Sequence, residues 1–245
     1  MNEEKFTGKA DNYAKYRPSY PDVLIDWLYD KTQAKTVVDI GAGTGIFTQC
    51  LLTKPWSVTA VEPNSEMLGK LKEALPEITT VQSSAENTGL SDNSADLITT
   101  AQAFHWFDEW IFKTECQRIL TPGGKLAVIF NERTANGISK RRDDICMKYC
   151  KAYHAGRTGK RGNKEGDLFL RNEYFSEVEV FRAENNVKVD LERFIGDTLS
   201  RSYALSKSDE GYRQFVDELK KAFYEFEENG TVTVSYNTSC YLGTF

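Results

Sequence analysis

The strongest constraint on the fold is a regular alternation between residues 36 and 130. Apolar, β-branched runs at Thr36–Ile40, 58–61, 78–81, 96–100 and 126–130 each read as a buried parallel strand. Between them, residues 45–53, 65–75 and 109–120 read as helices. Asn64 or Ser65 is placed to cap the second helix and Asp108 the third. Pro122-Gly123-Gly124 is expected to stop the third helix and turn the chain into the next strand. Such a succession of strand, helix and strand implies a parallel sheet with right-handed crossovers.

The flanks follow a different pattern. Residues 21–31 read as an amphipathic helix carrying Val23, Leu24, Trp27 and Leu28, and the Tyr- and Lys-rich residues before it as an arm or lid. After Phe130 the chain turns polar, with helical potential over 142–153 and then the loop GRTGKRGNKEGD. Residues 175–189 have strand character, Leu191–Leu199 and 210–228 read as helices, and 231–241 alternates as a strand should. The expectation is one α/β domain over 1–245: an arm and helix at 1–34, a ligand-binding core at 35–131, and a cover with the last two strands at 132–245.

Charge and composition exclude some partners. A net charge of -5 disfavours a protein that grips nucleic acid through its overall field. No window has the length and apolarity of a membrane span, and the first residues lack a signal-peptide core, so a cytoplasmic protein is expected. The five cysteines are odd in number and scattered, which suits reduced thiols.

At the end of the first strand stands VVDIGAGTGIF, residues 37–47. Ligands of α/β sheets sit at the carboxyl ends of strands, where the strand order reverses. Gly41 and Gly43 allow the backbone to approach a ligand closely, and the helix starting near Gly45 presents amide donors. A dinucleotide fingerprint requires GxGxxG, but Ile46 stands at the last glycine position and charged Asp39 lies two residues before the first. That pattern disfavours NAD and suits a ligand without pyrophosphate, whose cationic amino group a carboxylate can orient. Glu62, one β-α-β unit further on, is placed to accept ribose hydroxyls, a demand shared by NAD and adenosyl ligands.

VVDIGAGTG, VEPNSEML, SSAENTGLSDNSADLITTAQAFHWFD and RILTPGGKLAV follow in that order. Together they resemble the class I S-adenosylmethionine-dependent methyltransferases of the type 11 kind. AQAFHWFD and the N-terminal DNYAKYRPSYP are similar to the trans-aconitate methyltransferase-like branch. The resemblance implies a Rossmann-like, doubly wound, seven-stranded, mostly parallel sheet with an antiparallel last strand, an N-terminal arm and helical cover insertions. It also implies S-adenosyl-L-methionine as cofactor and a small-molecule methyl acceptor, a carboxylate among the candidates. Asp39, Gly41, Ala42 and Gly43 would surround its methionine end, Glu62 its ribose, Asn64 and Met67 its adenine. Ser84, Ala85 and Glu86 would meet the adenine amino edge, and Gln102 and Ala103 would pass beneath the sulfonium. Tyr16 and Arg17 match the closing arm, Arg17 being suited to the cofactor's carboxylate.

Other residues have two readings. His105 and Trp106, after the fourth strand, either meet the acceptor or pack as cavity walls, and His105 is the one candidate base. Cys146, Cys150 and His154 share a helical stripe, but a closed zinc site needs a fourth ligand, and buried small cysteines are the simpler reading. Lys140-Arg141-Arg142 and Arg157/Lys160/Arg161 either recognise an anionic substrate or form solvated surface. The rival functions are an NAD-linked oxidoreductase and a non-catalytic S-adenosylmethionine-binding module. The sequence sets no oligomeric state.

Overall fold

The computed structural model describes residues 10–134, 136–153, 157–158 and 161–245. The elements run α1 Ala10–Tyr16, α2 Asp22–Thr32, β1 Thr36–Ile40, α3 Ile46–Leu51, β2 Ser57–Val61, α4 Ser65–Ala74, β3 Thr79–Val81 and β4 Ala95–Ala101. A 3₁₀ turn at Phe104–Trp106 leads to α5 Glu109–Ile119, β5 Leu120–Arg133 and α6 Gly137–Tyr149. The short strands β6 Arg157–Thr158 and β7 Arg161–Gly162, α7 Asn163–Phe169 and one π-helical turn at Leu170–Tyr174 follow. The chain ends with β8 Glu177–Val189, α8 Leu191–Leu199, α9 Tyr212–Phe226 and β9 Val232–Thr244.

Seven strands form one sheet in the order β3-β2-β1-β4-β5-β9-β8. The pairs from β3 through β5 are parallel, and β9 runs antiparallel to both β5 and β8. This is the doubly wound sheet with a reversed last strand that the sequence implied. Residues alternate across it. Val38, Ile40, Ile98 and Val128 face the core under α5, against Phe112, Cys116 and Ile119. Their neighbours Val37, Leu97, Ala127 and Ile129 face α2 and α3, against Leu24, Leu28, Phe47 and Leu51. Phe112 is fully buried, worth roughly 1.5–3 kcal/mol relative to exposure. A third core joins α6, α8, α9 and β9 through Ile145, Phe194, Phe215, Phe223 and Val234.

Local chemistry explains most boundaries. Asn64 caps α4 by accepting from the backbone N–H groups of Glu66 and Met67, and Asp108 caps α5 through those of Trp110 and Ile111. Asn136 accepts from the Ser139 N–H, which starts α6 five residues before the helical potential read from sequence. Pro122-Gly123-Gly124 does not separate helix from strand. Leu120 already pairs with Ala95, the next pair is Leu97 with Lys125, and the three residues form a bulge inside β5. The strand extends at both ends because β4 and β9 template it from either side.

Among the described residues, no helix is long and apolar enough to cross a membrane. Cys146 and Cys150 are buried in the third core, while His154 and Lys160 lie outside the described residues.

Candidate functional site

The strand order reverses at β1, which has β2 on one side and β4 on the other. The crevice above its carboxyl end is where such sheets bind ligands. The glycine loop fills that place and is tied to β2, since Gly41 and Ala42 donate their N–H groups to the Val61 carbonyl at 2.9 and 3.1 Å. Gly41 has φ +72°, and a Cβ there would lie 2.5 Å from the Cβ of Ala103. Only glycine lets the two turns meet so closely.

Glu62 is 7% exposed, and both of its oxygens are held by backbone donors. Oε2 accepts from Gly43 N at 2.8 Å and Oε1 from Asn64 N at 2.9 Å. These two bonds fix its orientation. Asp39 lies deeper. Its oxygens accept from Thr48 Oγ1 at 2.6 Å and Thr99 Oγ1 at 2.9 Å. Burial raises its pKa to about 6, against the opposing pull of the two hydroxyls.

Two cavities meet over this loop. The wider, about 160 Å³, is lined by Glu62, Asn64, Met67, Ser84, Ala85, Glu86, Ala103 and Trp106 among others. Glu86 also braces its wall by accepting the Asp108 N–H at 2.9 Å. The narrower, about 40 Å³, lies between Arg17, Asp39, Ala42, Asn131, Arg201 and Tyr236. Tyr13, Gly41, Gly43, Ala101 and Gln102 line both, so the two form one groove across the loop. Gln102 has φ +57°, and its side-chain amide donates to the Asn131 carbonyl at 2.7 Å. This holds the end of β4 against β5 in a left-handed conformation that non-glycine residues rarely adopt.

Most residues singled out from the sequence thus come together, with two exceptions. Tyr16 lines neither cavity of the groove. Its hydroxyl donates to Glu192 at 2.7 Å, and its ring lies against Gly196 of α8. The residue that shares a face with Arg17 is Tyr13, one helical turn earlier, with the guanidinium 4.5 Å from its ring centre. His105 also lines neither cavity; the 3₁₀ turn sets it beside Trp106, with ring centres 4.7 Å apart.

The sequence reading missed Tyr13, Asn131, Arg201 and Tyr236. Tyr13 was accessible through its i, i+4 relation to Arg17, and Asn131 through its place at the carboxyl end of β5. Arg201 and Tyr236 reach the groove from the cover, and no local motif marks them.

Residues 38–128 match a family model described as a methyltransferase domain. An uncharacterised methyltransferase of Mycobacterium tuberculosis is 42% identical over 128 residues, covering 52% of this chain and 52% of the relative. Another, from Schizosaccharomyces pombe, is 37% identical over 133 residues, 52% of this chain and 53% of that protein. The matched segment spans about half the length of the curated relatives. A solved structure from Anaeromyxobacter dehalogenans, provisionally named a type II methyltransferase, shares the fold. It aligns with a TM-score of 0.71 at 22% identity, over 94% of this chain and 98% of that one. Residues 38–128 thus resemble a methyltransferase domain, for which S-adenosylmethionine is the implied methyl donor, and the chain shares the fold of that solved structure.

The groove fits that donor. The turn at Gly41 and Gly43 leaves bare backbone along the floor, and the Glu62 carboxylate is preset in the wider cavity by the Gly43 N–H. The wider cavity offers Met67 and Ala85 as apolar surface for a flat base, with polar Ser84 and Glu86 at its edge.

Proposed function

We propose that this chain, carrying a methyltransferase domain in a class I fold, moves a methyl group from S-adenosylmethionine to a small organic acceptor. The observation that carries this reading is the preset Glu62 carboxylate, which lines the wider cavity and is fixed by Asn64 N and by Gly43 N, Gly43 being a residue that lines both cavities. In this reading Glu62 receives the ribose hydroxyls, and Asn64, Met67, Ser84, Ala85 and Glu86 border the adenine. Asp39, Gly41, Ala42, Gly43 and Arg17 surround the methionine end, while Gln102 and Ala103 form the floor beneath the reacting centre.

When bound, the donor supplies an electrophilic methyl carbon, which the acceptor's lone pair takes as the carbon–sulfur bond breaks and its electrons remain on sulfur. The protein's contribution is alignment and exclusion of water. Gln102, held by the Asn131 carbonyl, keeps the floor rigid, and α1 lies over the groove through Tyr13 and Arg17. A carboxylate acceptor needs no base. The AQAFHWFD and DNYAKYRPSYP motifs support such an acceptor through the branch they resemble.

Calorimetric titration of the folded chain with S-adenosylmethionine and S-adenosylhomocysteine tests the donor. Absence of binding to both removes the reading. Transfer of labelled methyl groups into a metabolite extract tests the enzyme, and binding without any turnover would leave a non-catalytic binder.

A further inference from the structure

The two edges of the sheet differ in length: β3 has 3 residues, while β8 has 13. Of the 13, only Val189 is buried. The inner side of β8 pairs with β9 without a break, from Glu177 opposite Thr244 to Val189 opposite Val232. Among the described residues no strand pairs with its outer side. The strand contains no proline and no bulge, the usual devices that keep a long edge from pairing with another chain.

Which backbone groups face outward follows from the neighbouring strands. The Thr134 N–H donates to the Ser235 carbonyl at 2.9 Å, in the register of β5 with β9. Along an antiparallel strand, successive residues turn their N–H and C=O groups to alternate sides. Odd-numbered residues of β9 therefore face β5, and even-numbered ones face β8. The β8 partners of those even-numbered residues are all odd-numbered. Val178, Val180, Arg182, Glu184, Asn186 and Lys188 thus direct their N–H and C=O groups away from β9, out of the sheet edge. The side chains on this edge carry both signs of charge. Arg182 is about half exposed and meets Asp167 at 2.8 Å, and Glu184 accepts from Asn186 Nδ2 at 3.2 Å.

We propose that two copies of this chain pair through β8, antiparallel about an axis at Ala183, joining their sheets into one. This register overlaps the two strands in full and brings every outward-facing residue opposite another. Arg182 of each copy then stands opposite Glu184 of the other, Val180 opposite Asn186, and Val178 opposite Lys188. Moving the axis to Arg182 or to Glu184 sets arginine against arginine or glutamate against glutamate, so charge selects the full overlap. Each copy contributes the same edge, so the pairing closes on itself as a dimer and does not propagate. Three strands, β4, β5 and β9, separate this edge from β1 and its glycine loop, so the proposal is independent of the methyltransferase reading.

Sedimentation equilibrium of the full chain from about 1 to 500 µM should show a monomer passing into a dimer. Amide hydrogen exchange, read residue by residue at both ends of that range, locates the interface. The even-numbered amides of residues 178–188 should slow at high concentration, while their odd-numbered neighbours are protected at both. A monomer at every concentration overturns the proposal. So does a dimer whose even-numbered β8 amides exchange alike at both ends of the range, since its interface lies elsewhere. Both results come from the wild type, without any variant having to fold. Arg182→Glu places like charges opposite each other and should weaken association at least about tenfold, as should Glu184→Arg. The double swap restores opposite charges and should return to within about threefold of wild type. Single swaps that leave the association unchanged, or a double swap as weak as the singles, also overturn the proposal.

Discussion

The backbone N–H of Gly43 donates to Glu62 Oε2 at 2.8 Å, locking the glycine turn after β1 to the carboxylate that follows β2. Two separate sequence segments thereby become one rigid receptor edge. The Asn64 N–H, bound to the other oxygen at 2.9 Å, extends that edge to the cap of α4.

Glu62→Ala should therefore weaken S-adenosylmethionine binding strongly. A hydrogen bond to a charged group is worth about 1.5–3 kcal/mol, so a loss of roughly 10- to 100-fold is expected in a calorimetric titration. Unchanged affinity would place the ribose elsewhere.

The floor of the groove gives a second test. In Gly41→Ala the new methyl would sit 2.5 Å from Ala103 Cβ, at φ +72°. Overpacking and the left-handed backbone together predict a loss of about 2–4 kcal/mol in urea unfolding. A stability equal to wild type would mean that the two turns can separate without penalty.

Asp39 sets a pH dependence. Burial raises its pKa in the folded chain to about 6, against an ordinary value of 3.8, so the folded state binds the proton more tightly. Its contribution to stability is full below pH ~4 and is lost as the pH rises through about 6. Asp39→Asn should remove this dependence. Between pH 4 and 7.5 the variant should gain on the wild type by on the order of 3 kcal/mol. Parallel stability curves across that range would show that Asp39 titrates normally.

The N-terminal arm docks on the cover through an absent side chain. A Cβ on Gly196 would come within 2.2 Å of the Tyr16 ring, whose hydroxyl binds Glu192 at 2.7 Å. Gly196→Ala should lift α1 and raise amide hydrogen exchange over residues 10–16. Adding Tyr16→Ala to that variant should let the helix settle back. Exchange that does not change in the single variant would show that the arm is held by other contacts.

The positions of the central strands were legible because each is a short apolar, β-branched run between helical segments, a signal contained within a few residues. Glu62, Asn64 and Met67 could be placed for the same reason: they follow a recognisable strand at a fixed offset. The directions of Tyr16 and His105 could not be read, because side-chain direction depends on whether the local turn is α-helical or 3₁₀. Pro122-Gly123-Gly124 was misread because a turn signal can equally serve a bulge, and only the neighbouring strand decides which.

The local pattern of the chain determined the doubly wound sheet and the loop that ends its first strand. Tertiary structure alone decided what faces that loop across the cavity. Arg17, Arg142 and Arg201 lie on separate elements and converge only because the third core brings α8 and α6 together and α1 docks on α8. Asp197 can join them because it is surrounded by their charge, a long-range condition that no short window of sequence contains.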